Sequence, residues 1–278
     1  MPIIADIESL EARVQELIGT GAEYRSITRW KRSYVRTLLD AIAGLDLSDL
    51  TLRQLRAIVN QVVSENDMVL IDGIQDDVSK RLGDILDLNQ DFYTLVNLPF
   101  PDIQEVLTRS DAVAELVDRF NDNLVNMDTE LAEATVQAMQ QSIRTGIDRS
   151  ELTKVIQQTV DTPAFYADTN ARLLTSSYNR IARDVMRESA DLQYGFYYGD
   201  RRDNSRPFCI HNVGRVFDLE QINNMVNGQG LDVKTYCGGY RCIHSWLWVD
   251  IEWDEDLKRL YNKERSRTEI ETGVFVYA

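Results

Sequence analysis

Apolar residues recur at steps of three and four along most of this chain. Ile7, Leu10, Val14 and Leu17 share one face of a predicted helix, which Gly19 and Gly21 punctuate. Ile27, Trp30, Tyr34 and Leu38 form a second stripe within 22–45, and Ser48 then reads as an N-cap or a pre-helix turn residue. A longer stripe follows through Leu52, Leu55, Val59, Val62, Val69, Ile74, Val78, Leu82 and Ile85. Such spacing marks amphipathic helices that each bury one face. Asn97-Leu98-Pro99-Phe100-Pro101 is the sharpest break, because two prolines so close together end a helix. Ser110-Asp111 opens another helical stretch, with Val113, Leu116, Val117, Phe120 and Leu124, that runs to about Ile143 and is capped at Gly146. A short helix is expected over 148–160. A separate one is expected from Pro163 to about Ser189, with the proline in its first turn.

The period changes near residue 191. YGFYYGD, VGRVFDL and SWLWVDIEW are rich in aromatic and β-branched residues at near-alternate spacing, with glycine and asparagine between them, which predicts strands and turns. One short helix fits 218–226 and another fits 255–265, while 270–278 reads as a last strand or a docking tail. The expected fold is mainly α. A long helical N-terminal region, 1–160, forms a bundle or an extended arm. A small α+β domain with a short antiparallel sheet occupies 161–278.

Composition narrows the classes. A chain of 278 residues with 44% hydrophobic content can bury a sizeable core, and five prolines and fourteen glycines leave little room for long linkers. No apolar run approaches the roughly 18 residues a membrane span needs. The start, MPIIADIESLEARVQEL, lacks the basic n-region of a signal peptide, so synthesis in the cytoplasm without ordinary secretion is expected. A net charge of −15 opposes general binding to a phosphate backbone. One basic group stands against it. Arg25, Arg29, Arg32 and Arg36, with Lys31 beside them, suit a partner surface, and packaged DNA is the weaker alternative. Arginines far outnumber lysines, which favours bidentate pairing with carboxylates.

The chemistry-bearing residues are concentrated. All three cysteines and both histidines fall between Cys209 and His244, as Cys209-Ile-His211 and Cys237-Gly-Gly-Tyr-Arg-Cys242-Ile-His244. Thiolates and imidazole are the donors of tetrahedral zinc, and a closed four-donor site contributes folding free energy. Cys209, Cys237, Cys242 and His244 make one such set, with His211 as the alternative histidine. The spacing is not a standard zinc pattern, so small buried side chains filling a core are an equal reading. A catalytic Cys/His pair is the least favoured reading, because no nucleophile or phosphate-loop signature accompanies it. Asp200, Asp203 and Arg206 lie in a turn-rich stretch, where turn formation explains them.

Several of these segments resemble a known family. Phe196-Tyr-Tyr-Gly-Asp200-x-x-Asp203-x-Ser205-Arg206-Pro207-Phe208-Cys209-x-His211 is similar to the core of phage Mu F-like head morphogenesis, or minor head, proteins. The preceding helix, from Thr169-Asn170-Ala171 to Ser189, resembles the helix before that core. Gly214-Arg-Val-Phe217 and Tyr236-Cys237-Gly-Gly-Tyr-Arg241-Cys242-Ile-His244-Ser-Trp246 resemble the segments that follow it. The likeness covers roughly 165–250. It implies a minor structural protein of a tailed-phage head, associated with the portal, that acts in head assembly and in DNA packaging or ejection. The implied partners are the portal protein and the major capsid protein, and the implied location is the virion. It implies a structural use of the cysteines and histidines, with Zn2+ as the cofactor if one is held, and no enzymatic activity. The alternative is a zinc- or cysteine-dependent phage enzyme or toxin.

Overall fold

The computed structural model describes residues 3–19, 24–46, 50–98, 111–145 and 149–270. Its helices are α1 (Ile3–Gly19), α2 (Arg25–Ala41), α3 (Leu52–Leu95), α4 (Asp111–Thr145) and α5 (Arg149–Ser189). A C-terminal series follows: β1 (Tyr194–Tyr198), α6 (Pro207–Asn212), β2 (Arg215–Asp218), α7 (Leu219–Asn224), α8 (Val233–Tyr236), β3 (Ser245–Val249), a 3-10 turn (Ile251–Trp253) and α9 (Glu255–Ile270). The chain is therefore mainly helical, with a small antiparallel sheet near its C-terminus. No described helix is long and apolar enough to cross a membrane. The expected N-cap or turn at Ser48, the helix cap at Gly146, the prolines of the 97–101 break and, beyond Ile270, the expected strand or docking tail over 270–278 lie outside the described residues, while Ile270 itself ends α9.

The sequence suggested one boundary near residue 160. Packing instead groups the chain into two compact units interleaved along it. One contains the described residues of 1–20, 82–116 and 175–278, and the other those of 21–81 and 117–174. Three of the four boundaries, at 81/82, 116/117 and 174/175, fall inside long helices, so no composition shift marks them.

The 21–81 and 117–174 unit is helical. α2 buries Ile27, Trp30, Tyr34 and Leu38, the stripe that the spacing predicted, together with Val35, and α3 contributes Leu55, Val59, Val62, Ile74 and Val78. The Tyr34 hydroxyl pairs with Thr135 Oγ1 of α4 at 3.0 Å. The Ser26 hydroxyl and amide both donate to Asp77 Oδ2, at 2.7 and 3.0 Å.

The break expected before Pro163 does not occur: α5 runs through it. Proline offers no N–H to the carbonyl four residues back and so normally interrupts a helix. Here Leu152, Ile156, Val160, Pro163, Ala167, Ala171 and Leu174 form one unbroken buried stripe at helical spacing. Burial along that face offsets the one lost bond.

In the other unit the sheet has strand order β2-β1-β3, both pairings antiparallel. Side chains alternate across it. Phe196, Val216, Leu247 and Val249 face a core shared with Phe92, Tyr93, Tyr178, Met186 and Leu257. Tyr197, Phe217, Trp246 and Trp248 face a second core with Phe208, Ile222, Val233 and the three cysteines. Both faces are covered, so β3 is buried at every position although it lies at the sheet edge. The second core holds the site.

Candidate metal centre

Three pieces of chain carry the chemistry. The first is α6, which starts at Pro207 directly after Arg206 in an extended N-cap conformation. Proline suits this first helical position, where its missing N–H would have no helical partner. α6 buries Phe208, Cys209 and Asn212. The second is the turn 237–244 between α8 and β3. Cys237 (φ 51°), Gly239 (φ 108°) and Arg241 (φ 60°) all take left-handed backbone there, which folds the chain tightly enough to return Cys242 beside Cys209. The third is β1, whose Tyr197 is paired in register with Trp246 of β3.

The donor atoms of Cys209, Cys242 and His244 all lie within 4.8 Å of one another, and all three residues are buried. The two sulfurs are 3.5 Å apart, and His244 Nδ1 is 3.4 Å from Cys242 Sγ. Metal–sulfur bonds of roughly 2.3 Å and metal–nitrogen bonds of roughly 2.0 Å at tetrahedral angles give donor separations of roughly 3.8 and 3.5 Å. The cluster is already near those spacings.

The imidazole is also oriented as a ligand. Its Nε2 lies 3.1 Å from the carbonyl oxygen of Asp200, which can only accept, so Nε2 carries the proton. Nδ1 is left bare and faces Cys242. A ring nitrogen freed by a carbonyl bond to its opposite nitrogen is the usual outer-shell arrangement of a metal-bound histidine. The cluster can therefore hold a metal ion.

The thiols are strongly inequivalent. Cys242 is held far below the usual thiol range, first because the Cys209 thiol donates a hydrogen bond to it, with burial opposing this. Cys209 is driven up by that same bond and by burial. Without a cation the pair thus holds one thiolate and one thiol. Burial pushes Cys237 up to about 12, despite the nearby Arg180 charge. Tyr197 is also pushed well up, first by burial.

The backbone around the cluster is fixed from behind. Arg180 of α5, 3% exposed, points its guanidinium at three carbonyls: His244 (3.0 Å), Thr235 (3.2 Å) and Cys242. Asn227 Nδ2 donates to the Cys237 carbonyl at 3.1 Å, and Arg206 donates to that of Tyr240. Two glycines are fitted to the site by contact. A Cβ on Gly238 would sit 2.2 Å from Cys209 Sγ, and one on Gly199 would sit 2.4 Å from His244 Cδ2.

The structure thus brings together Cys209, Cys242 and His244 of the predicted set. Cys237 is fully buried in the same core, but its sulfur is not one of that group. His211 lies on the exposed side of α6 with Nδ1 2.7 Å from the Pro207 carbonyl, away from the cluster. Arg25, Arg29, Arg32 and Arg36 are all exposed on α2, along one stripe opposite its buried face. Asp200 takes part through its carbonyl and Arg206 through its guanidinium, while Asp203 is exposed. Sequence reasoning missed Arg180, Tyr197 and Asn227. The available signal was weak: Ser176, Ser177, Asn179 and Arg180 put polar side chains on every side of α5 at positions that turn out buried.

Fold and site together define a mixed α+β unit that carries a buried Cys/Cys/His cluster between a short helix, a tight turn and a three-stranded sheet. No protein-family model, curated protein or solved structure matches the chain.

Proposed function

We propose that this chain is a minor structural protein of a tailed-phage head, associated with the portal, that acts in head assembly and in DNA packaging or ejection, and that its cluster holds a structural Zn2+. The observation that carries this reading is where the family-like segments converge. The segment 196–211 supplies β1 and Cys209, and 236–246 supplies Cys242, His244 and the start of β3. Both meet at one buried cluster. Zinc there would cross-link α6 to the turn before β3 and contribute folding free energy to a small unit.

The stripe Arg25, Arg29, Arg32 and Arg36 supports a docking role, because arginine forks on one exposed helix face suit carboxylates of a partner protein. The net charge of −15 favours a portal or capsid partner over DNA. Quantitative mass spectrometry of purified virions tests the reading. A copy number close to the portal's is expected, and absence from the particle, together with no binding to portal or capsid protein, would overturn it.

A second reading, a zinc- or cysteine-dependent phage enzyme or toxin, draws on one observation: Cys242 Sγ lies 3.4 Å from His244 Nδ1, the pairing of a nucleophile with a base. The burial of both residues weighs against it. A small cavity of about 150 Å³, lined by Gln15, Glu16, Tyr198, Asp200, Arg202 and Ile243 among others, includes none of the three cluster residues. Cysteine substitutions separate the two readings: loss of stability marks a structural site, and loss of an activity with folding intact marks an enzyme.

A further inference from the structure

Tyr197 places its hydroxyl in the second core against the sulfurs of Cys209 and Cys242. It has no exposed surface, and three neighbours fix its ring: Trp246 and Phe208 edge-on at 4.7 and 5.7 Å, and the His244 imidazole stacked at 5.5 Å with 9° between planes. Phenylalanine would fill that space equally well and leave no oxygen to desolvate. The hydroxyl is aimed at sulfur, 3.5 Å from Cys209 Sγ and 3.7 Å from Cys242 Sγ. A neutral thiol is a poor acceptor, so this placement suits sulfurs that carry charge or share a cation with the oxygen.

The spacing favours a shared cation. In a tetrahedron with metal–sulfur bonds of roughly 2.3 Å and metal–oxygen bonds of roughly 2.0 Å, a sulfur–oxygen edge is roughly 3.5 Å. Both Tyr197 distances lie within a few tenths of an ångström of that edge, as do the sulfur–sulfur and sulfur–nitrogen distances among Cys209, Cys242 and His244. Cys237 stands apart. Its sulfur lies outside the close group, and its backbone is engaged as the first residue of the turn, with its N–H on Val233 and its carbonyl on Asn227.

We propose that the fourth corner of this centre is the Tyr197 hydroxyl, which gives a Cys209, Cys242, His244, Tyr197 donor set, and that Cys237 packs beside it as a thiol. The proposal rests on the metal-holding reading above. Charge supports it: two thiolates neutralise a divalent cation, with the remaining Cys209 proton released on binding, and a neutral phenol adds no further charge to a buried site. A third thiolate would leave one buried negative charge.

Co2+ titration of the metal-free full-length chain tests this, because sulfur-to-cobalt charge-transfer absorption grows with each cobalt–sulfur bond and the d–d bands report the donor set. Tyr197→Phe, Cys237→Ser and Cys237→Ala are compared, with far-UV circular dichroism to confirm folding. The expected result is that both Cys237 variants keep the wild-type charge-transfer intensity. Tyr197→Phe should keep it too, but with shifted d–d bands and a zinc affinity lowered about 10- to 100-fold in chelator competition. Loss of about a third of the charge-transfer intensity in the Cys237 variants, with d–d bands unchanged in Tyr197→Phe, would make Cys237 the fourth ligand and overturn the proposal. A wild-type chain that takes up neither Co2+ nor Zn2+ would remove the metal reading itself, and this proposal with it.

Discussion

Replacing Arg180 with methionine should unfasten the turn that carries Cys242 and His244 without emptying the core. The perturbation is narrow: methionine keeps much of the aliphatic volume and removes only the guanidinium. Three carbonyls then lose their donor, those of His244, Thr235 and Cys242. A hydrogen bond from a charged donor contributes about 1.5–3 kcal/mol, and a buried acceptor left unpaired costs about 1–3 kcal/mol. The Thr235 bond is only part-buried and its acceptor can turn to water, and neighbouring effects do not add fully. The net loss comes to about 3–4 kcal/mol. The chain has two compact units, so one global midpoint would blur the effect. Amide hydrogen exchange over 237–249 is the suitable assay. At a factor of ten per 1.4 kcal/mol, protection there should fall about 100- to 1,000-fold, while the α2 amides keep theirs. Lysine should recover little, because a point charge cannot serve a fork of three acceptors. Protection in Arg180→Met within about threefold of wild type would refute the reasoning, because it would place the three bonds below about 0.7 kcal/mol in total.

Glu11 and Arg183 form a buried ion pair, with Arg183 Nε also donating to Asn89 Oδ1 at 2.9 Å. Glu11→Gln should destabilise its unit by about 3–5 kcal/mol in urea denaturation, because Arg183 keeps its charge and loses the counter-charge; a loss under about 1 kcal/mol would count against the pairing. Gly238→Ala should cost about 1–3 kcal/mol and weaken zinc binding, since the new methyl meets Cys209 Sγ at 2.2 Å. Gly228→Ala, where nothing lies within 4 Å but φ is +74°, should show the backbone cost alone and leave zinc binding unchanged. In the metal-free chain the depressed Cys242 pKa stabilises the fold fully above the ordinary thiol range near 9, and that contribution declines as pH falls toward the folded value. Ultraviolet thiolate absorbance at neutral pH should therefore report one thiolate per chain, and none would contradict the inequivalence of Cys209 and Cys242.

What the sequence made legible follows from which interactions are local. The α2 stripe and the three strands were readable because burial there repeats with the period of the element itself. Tyr197 and Phe196 alternate across β1 just as Trp246 and Leu247 do across β3. The helical run through Pro163 was not readable, because local chemistry argued for a break and only tertiary burial of the continuing stripe overrode it. The interleaved units were equally hidden: which part of α3 or α5 joins which core depends on contacts far away in the chain. The cluster was half legible. Residue type and clustering pointed to Cys209, Cys242 and His244, but the same signal included Cys237 and offered His211, and nothing in the spacing separated inward from outward positions on α6.

The least legible residues are those that hold backbone rather than side chains. Arg180 acts on carbonyls 55 to 64 positions downstream, and carbonyls leave no trace in a sequence. Their presence follows from the design of the site. Cys242 and His244 sit on a turn with three left-handed residues, whose internal bonds, from Gly239 N–H to the Tyr236 carbonyl and from Cys242 N–H to the Gly239 carbonyl, do not engage the carbonyls of Thr235, Cys242 and His244. A rigid helix behind it must supply the missing donors, and a buried guanidinium with its forked N–H groups does so with one side chain. The glycines then let the turn approach: Gly238 lies against the Cys209 sulfur and Gly199 against the His244 ring, at separations that any side chain would prevent. The donor geometry is therefore set by α5 and the glycines before any ion arrives. This predicts a small structural change on metal binding, with the binding free energy appearing as stability of the 237–249 segment rather than as reorganisation.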